Sequence, residues 1–465
     1  MSNQNQQTGA RESFKSRLGF VLISAGCAIG IGNVWRFPYI VGENGGGLFV
    51  LLYILCLVAV GVPVLTMEYA IGRASKKSIT CAYQELEKPK QKWHLHGYAS
   101  LVGNYLLMMF YTTVSGWMMY YFYRYAVGEM DGLDKTAVEG AFSGMLAEPG
   151  TMALWMGIVV VLGFAACSLG VQKGLERITK WMMIALLVLI IGLAVYSILL
   201  PGALEGLKFY LLPNAETIQK NGFFNVLVAA LNQSFFTLSL GIGSMMIFGS
   251  YMKRDNTLLK ESVTVAGLDT FVAITSGLII FPACFAFGVQ PDSGPGLVFI
   301  TLPNVFSDMA AGRILGTLFF LFMTFASLST VMAVFENILS CCMDKWGWSR
   351  AKACIVNFVG VLALSIPCVL GFNVWSDFQP LGPGSAVLDL EDFFVSNIML
   401  PLGSLIILLF CTHKFGWGFD NYMAEANAGK GIKVPKILKV YFKWVLPVIL
   451  IIMFVHGIVG VIQKL

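Results

Sequence analysis

Charged side chains are scarce in this sequence. Lys, Arg, Asp and Glu together make up 12% of the 465 residues, and histidine occurs only four times. Soluble domains carry about twice that share of charge, so the composition excludes an ordinary soluble globular protein. The ten cysteines lack the spacing of a zinc site or of a disulfide framework. We therefore predict that they pack as small apolar side chains.

Long apolar runs take the place of the missing charge. Hydrophobic residues make up 57% of the chain, and the mean hydropathy is +0.74. The runs recur along the whole sequence and are long enough to cross a bilayer as helices. We number the predicted spans as segments 1 to 11, at approximately 18–40, 46–71, 97–125, 151–168, 175–200, 222–250, 262–289, 314–343, 351–371, 394–412 and 441–461.

The distribution of charge predicts an orientation. Most of the 31 Lys and Arg residues fall on one side if the N-terminus is cytoplasmic, and the acidic connection 128–150 then lies outside. An odd number of spans places the C-terminus outside as well. The net charge of +5 therefore reflects loops at the inner face and is no argument for a nucleic-acid partner.

The predicted organisation has six parts. They are a cytoplasmic N-terminal segment (1–17), a first half (18–200), an external loop (201–221), a second half (222–412) with an external loop helix (297–311), a cytoplasmic loop (413–440) and segment 11 with an external C-terminus (441–465).

Segments 1 and 6 share an unusual glycine pattern. GIGN (30–33) and GIGS (241–244) each interrupt an apolar run. Broken helices free backbone carbonyls and amides, which survive in a membrane only where a ligand or protein satisfies them. Close packing of helices through small residues is the alternative, but two matched copies flanked by Asn, Ser or Thr favour a binding site at the midplane.

The same pattern predicts the fold class. With five segments in each half, the second half enters the membrane from the opposite side. The sequence therefore predicts an all-α polytopic membrane protein with an inverted five-helix repeat (segments 1–5 and 6–10), broken helices 1 and 6, and one extra span.

Several stretches have a residue order that is more specific than insertion into a membrane requires. They are SRLGFVLISAGCAIGIGNVWRFPYIVGENGGGLFVLLYI (16–54), FYTTVSGW (110–117), QSFFTLSLGIGSM (233–245), GLDTFVAITSGLIIFP (267–282) and FASLST (325–330). Through them nearly the whole chain resembles the neurotransmitter:sodium symporters, and the eleven segments suit the bacterial branch. The resemblance implies sodium-coupled uptake of a small amino-bearing solute across the plasma membrane of a bacterium.

The resemblance implies two Na+ sites made of hard oxygen ligands. The first would use Ala28, Asn33, Thr237 and Asp269, and the second Gly26, Ile29, Ala326, Ser329 and Thr330. Hydrogen bonding of Ser329 and Thr330 to their own helix is the alternative for those two hydroxyls. Asp269 departs from much of the family, which places asparagine there; its negative charge could replace the anion that chloride-dependent members use. We therefore expect chloride independence.

The resemblance also implies a substrate site. Its residues would be Ala28, Gly30, Ile31, Gly32, Leu107, Tyr111, Phe236, Thr237, Ser239, Ile242, Val331 and Val334. Monoamine transporters of the family carry Asp at the position of Gly30, so glycine here implies a substrate with its own α-carboxylate. The apolar lining implies a neutral hydrophobic amino acid, aliphatic or aromatic.

Two gates and two supporting residues complete the implied site. The outer gate would pair Arg36 with Asp392, or with Asp389 or Glu391, and Phe236 would be the aromatic lid below that pair. The inner gate would pair Arg11 with Asp344, with Phe14 and Tyr251 nearby. Glu68 and Gln233 would support the broken helices.

Other functions are weaker predictions. A membrane enzyme is disfavoured because the spans contain no nucleophile–base set or cofactor motif, and a channel because no repeated polar stripe is present. A sodium-dependent amino-acid sensor of transporter fold is the alternative. Its support is Ile184, which stands where relatives often have a proline in segment 5.

Overall fold

The computed structural model describes residues 14–213, 219, 221–288, 296–309 and 311–462. Within these residues, eight helices are long and apolar enough to cross a membrane. They are Gly47–Ser75 (segment 2), Pro149–Ser168 (4), Val171–Ile198 (5), Leu258–Ala286 (7), Gly312–Trp346 (8), Arg350–Leu370 (9), Val387–Thr412 (10) and Lys436–Gly460 (11).

The three remaining segments, 1, 3 and 6, are not among these eight helices. Segment 1 consists of Arg17–Ala28 and Gly32–Glu43, which meet at a 56° bend and together make a ninth candidate span. Segment 6 consists of Phe223–Thr237 and Ser244–Tyr251. Segment 3 is the continuous helix His94–Val127. The predicted breaks in helices 1 and 6 are therefore confirmed.

Short helices occupy several connections. The predicted loop helix corresponds to Leu297–Thr301 followed by Leu302–Ser307. The hydropathy pattern did not predict the other short helices, which are Ile79–Leu86, Lys135–Ala147, Ala203–Leu211 and Phe419–Ala426.

Segment 8 lies at the centre of the bundle. Of its most apolar stretch, 78% is buried inside the protein, compared with 28% for segment 11. Segment 8 packs against segment 3 and against the first half of segment 1, and the second half of segment 6 packs against segment 2. The two broken helices therefore lie inside the bundle, where other side chains can satisfy their freed backbone groups.

Candidate functional site

The break in segment 1 exposes backbone groups to side chains. The helix ends at Ala28, and the next residue, Ile29, has an extended conformation. The Gly30 amide then donates to Asn33 Oδ1 (3.1 Å), and the Ile31 amide donates to the Tyr111 hydroxyl (3.0 Å). A Cβ on Gly30 would lie 2.1 Å from the Tyr111 hydroxyl, so any side chain here would require Tyr111 to move.

The break in segment 6 depends on residues with positive φ. Ser239 has φ +51° and Gly241 has φ +94°, a region that side chains disfavour. The Gly241 amide donates to Glu68 Oε1 (2.6 Å), and Gln233 Nε2 donates to the Gly32 carbonyl (2.9 Å). Glu68 thus contacts a backbone amide in the break of segment 6, and Gln233 contacts a backbone carbonyl just after the break of segment 1.

Polar groups of segments 1, 6 and 7 form a first oxygen cluster. Asn33 Nδ2 donates to Asp269 Oδ1 (2.7 Å), and the Thr237 hydroxyl donates to Asp269 Oδ2 (2.9 Å). All three side chains are buried. Tyr53, which the sequence did not indicate, lies 3.5 Å from the same carboxylate. Three of the four residues predicted for the first Na+ site are therefore adjacent, with the Asn33 amide nitrogen facing Asp269 and its oxygen accepting from the Gly30 amide. Ala28 lines the cavity between the two breaks.

A second oxygen cluster joins segments 1 and 8. The Thr330 hydroxyl lies 3.2 Å from the Gly26 carbonyl oxygen and 3.4 Å from that of Ile29. The Ser329 hydroxyl lies 3.5 Å from the Ile29 oxygen and 2.8 Å from that of Ala326. Ser329 thus also bonds to its own helix, whereas Thr330 reaches across to segment 1. Such hard oxygen atoms are suitable ligands for a hard cation.

A narrow, mainly apolar cavity lies between the two breaks. It is lined by Cys27, Ala28, Gly30, Gly32, Leu107, Tyr111, Phe236, Ser239, Ile242, Thr330, Val395 and Leu400.

Four predicted substrate residues do not line this cavity with their side chains. Ile31 lines the outer vestibule, Thr237 belongs to the first oxygen cluster, and Val331 and Val334 are buried but do not line the cavity. Val331 instead faces segment 4, where a Cβ on Gly163 would lie 3.1 Å from its Cγ1.

Three cavity residues were missed by the sequence analysis. Cys27 follows Gly26 directly and could have been inferred from its position in the break. Val395 and Leu400 belong to segment 10, and no sequence signal distinguishes them from residues that face lipid.

Arg36 lies at the end of the cavity that is predicted to face outward. Its guanidinium lies over the ring of Phe236, and its Nη1 lies 3.1 Å from Ser396 Oγ and 3.9 Å from Asp392 Oδ1. The Ser396 hydroxyl donates to the same Asp392 oxygen (2.7 Å). Of the three candidate acids, Asp392 is therefore the one beside Arg36 in this conformation. A vestibule of about 570 Å³ adjoins these residues.

The alternative acids have other surroundings. Asp389 accepts a hydrogen bond from the Ala386 amide at the start of the helix (2.6 Å). Glu391 is buried in the protein.

Aromatic contacts and an ion pair lie on the side that is predicted to face the cytoplasm. The rings of Phe14 and Tyr251 meet edge to face with centroids 5.6 Å apart. The Tyr251 hydroxyl donates to Glu336 (2.9 Å), which also pairs with Arg350 (2.7 Å). The sequence analysis did not identify Glu336 or Arg350.

Only Asp344 of the predicted inner ion pair belongs to the described residues. Asp344 accepts a hydrogen bond from the Ser78 amide (2.6 Å). Its predicted partner Arg11 lies outside the described residues.

Comparisons with known proteins all indicate sodium-dependent transporters. The Sodium:neurotransmitter symporter family matches residues 11–131 and 138–464. An uncharacterized sodium-dependent transporter of Haemophilus influenzae is 32% identical over 98% of this chain and 100% of its own length. The uncharacterized sodium-dependent transporter YhdH of Bacillus subtilis is 32% identical over 96% of this chain and 98% of its own.

A solved structure supports the same assignment. The crystal structure of MhsT in complex with L-phenylalanine is similar to this chain with a TM-score of 0.87 and 36% identity, covering 96% of this chain and all of that one. The fold is therefore that of a multi-pass membrane transporter. The family match covers nearly the whole chain, and the chain belongs to the sodium:neurotransmitter symporter family of sodium-dependent transporters.

Proposed function

We propose that this protein imports a neutral hydrophobic L-amino acid, aliphatic or aromatic, together with Na+ and independently of chloride. The observation that carries the proposal is the cavity between the two broken helices. Apolar side chains such as Leu107, Ile242 and Val395 line much of it, and the Tyr111 hydroxyl and the segment 1 backbone lie at one part of its wall.

The polar wall suits the substrate headgroup. The Ile31 amide and the Tyr111 hydroxyl can donate hydrogen bonds to a carboxylate, and backbone amides at a helix start favour an anion. Gly30 contributes no side-chain carboxylate, so the substrate must bring its own. The MhsT complex contains L-phenylalanine, which has the chemistry that such a cavity would accept.

The two oxygen clusters suit two Na+ ions. The Asp269 carboxylate supplies a fixed negative charge in the first cluster, which removes the need for chloride there. Each Na+ that moves inward across about 100 mV releases about 2.3 kcal/mol. Two ions correspond to about 10³-fold accumulation, because about 1.4 kcal/mol equals a factor of ten.

During alternating access, the two ends of the cavity would open in turn. The cavity would open outward when Arg36 leaves Phe236, and inward when the contact between Phe14 and Tyr251 separates. The charge distribution supports an N-terminus in the cytoplasm of a bacterium, an external C-terminus and insertion in the plasma membrane.

Uptake into proteoliposomes tests the proposal. The full chain is reconstituted, and uptake of labelled L-phenylalanine, L-leucine and L-glutamate is measured under an inward Na+ or K+ gradient. We expect Na+-dependent accumulation of the two hydrophobic amino acids, unchanged when gluconate replaces chloride. Na+-dependent thermal stabilisation without uptake would indicate the sensor instead. Stabilisation that is equal in Na+ and K+ would contradict the two sodium sites.

A further inference from the structure

Asn104 of segment 3 holds the non-helical stretch 238–243 of segment 6. Its side chain is fully buried. Its Nδ2 donates to the Ile242 carbonyl (2.8 Å), and its Oδ1 accepts a hydrogen bond from the Ser244 hydroxyl (3.1 Å). One carboxamide therefore bonds to the last part of the break and to the first residue of the following helix.

The remaining hydrogen bonds of Asn104 fix the orientation of its carboxamide. Nδ2 also donates to the Ser100 carbonyl one turn earlier (2.7 Å), and Asn337 Nδ2 of segment 8 donates to Oδ1 (3.1 Å). A carboxamide has two N–H donors and an oxygen that can accept twice, so four partners use its full capacity. Asn104 thus connects segments 3, 6 and 8 at one point.

The backbone that Asn104 holds carries part of the substrate cavity. Ile242 lines the cavity, and so does Leu107, one helical turn after Asn104. A Cβ on the neighbouring Gly103 would lie 3.1 Å from Ile242 Cγ2, so the isoleucine already packs closely against segment 3. A shift of the Ile242 backbone would move the side chain that borders the ligand.

We propose that Asn104 is a positioning residue that sets the side-chain selectivity of the cavity by fixing Ile242. The proposal rests on the proposed function, an amino acid bound in this cavity. One methylene in a well-formed apolar pocket changes selectivity by about 10- to 200-fold. Without Asn104, the Ile242 carbonyl loses its donor and the wall loses its defined position, so discrimination by size decreases.

The test compares KM and kcat for a graded set of substrates. The full chain and Asn104→Ala are reconstituted, and Na+-driven uptake of L-alanine, L-valine, L-leucine, L-phenylalanine and L-tryptophan is measured. We expect the KM of the best substrate to rise about tenfold and the KM of poorly fitting ones to change less than about threefold. The selectivity ratio then falls at least threefold. The proposal would be overturned if the KM of all five substrates changed by the same factor, or if no KM changed.

Asn357→Ala is the matched control. Asn357 is a buried asparagine of segment 9 whose Nδ2 donates to the Ala353 carbonyl (2.8 Å) and whose Oδ1 accepts from Tyr105. Its hydrogen-bond partners Tyr105, Cys342 and Ala353 lie in segments 3, 8 and 9, so its loss should scale every KM by one factor.

A second variant covers a failure of Asn104→Ala to fold. Asn104→Ser keeps a hydroxyl that can bond to the Ser100 carbonyl of its own helix, but it is too short to reach the Ile242 carbonyl. We expect the same loss of selectivity, and a selectivity like that of the unmodified protein would contradict the proposal. If the unmodified protein transports none of the five amino acids, the proposed function fails first, and this inference fails with it.

Discussion

The guanidinium carbon of Arg36 lies 4.1 Å from the centroid of the Phe236 ring. Phe236 lines both the cavity between the two breaks and the vestibule. The cation–π contact therefore covers the ring that separates these two spaces. The same arginine also bonds to Ser396 and lies near Asp392 of segment 10. Segments 1, 6 and 10 thus meet at a single side chain on the outer side of the cavity.

Arg36→Ala should lower steady-state accumulation of substrate about 5- to 30-fold, because the closed outer conformation loses contacts worth about 1–2 kcal/mol. Na+-dependent binding at equilibrium should change less, since the lining of the cavity is intact. Both are measured on the reconstituted protein. Arg313→Ala is the control, because Arg313 also pairs with an acid, Asp131, but lies outside the cavity and the vestibule. Unchanged accumulation in Arg36→Ala would argue against the gate.

Thr330→Val should raise the Na+ concentration for half-maximal uptake about tenfold, because the second oxygen cluster loses one of its ligands, a loss of about 1.4 kcal/mol. The matched control is Thr324→Val. That buried hydroxyl of the same helix bonds only to the Phe320 carbonyl of its own helix (2.7 Å). A Na+ dependence that changes equally in both variants would remove Thr330 from the proposed site.

Asp269→Asn tests the independence from chloride. The unmodified protein should transport equally well in chloride and in gluconate. In the variant the fixed negative charge is lost, so uptake in gluconate should fall at least tenfold, a change of about 1.4 kcal/mol, and chloride should restore part of it. Asp377→Asn, at an exposed acid between segments 9 and 10, is the control. Chloride dependence of the unmodified protein would contradict the role given to Asp269.

Gly241→Ala should abolish substrate binding and lower the melting temperature. The residue has φ +94°, and an added Cβ would lie 2.2 Å from the Leu400 carbonyl oxygen, a backbone atom that cannot move aside. The strain costs roughly 1–3 kcal/mol or more. Gly267→Ala in segment 7 is the control, because no atom lies within 4 Å of its added Cβ, and it should be neutral or slightly stabilising. Substrate binding that survives in Gly241→Ala would show that the break tolerates a side chain.

The fold was predictable because its signals are local. Apolar run length indicated the spans, and the two glycine patterns indicated where segments 1 and 6 break. The resemblance then pointed to residues such as Asn33 and Thr330, which the structure brings into the two oxygen clusters. The roles of those residues in Na+ binding stay predictions. Val331 and Val334 lie outside the cavity lining because helical position alone does not determine which face of segment 8 meets the substrate.

The sequence by itself determined which segments enter the membrane and where two of them break, because bilayer thickness and the need to satisfy backbone groups act on each segment separately. Only the tertiary structure decided which side chains meet those breaks. Asn104 and the Ile242 carbonyl are 138 residues apart in the chain, and Val395 resembles any lipid-facing residue of segment 10. Such contacts depend on how whole helices pack, and helix packing is a property of the assembled bundle rather than of any one segment.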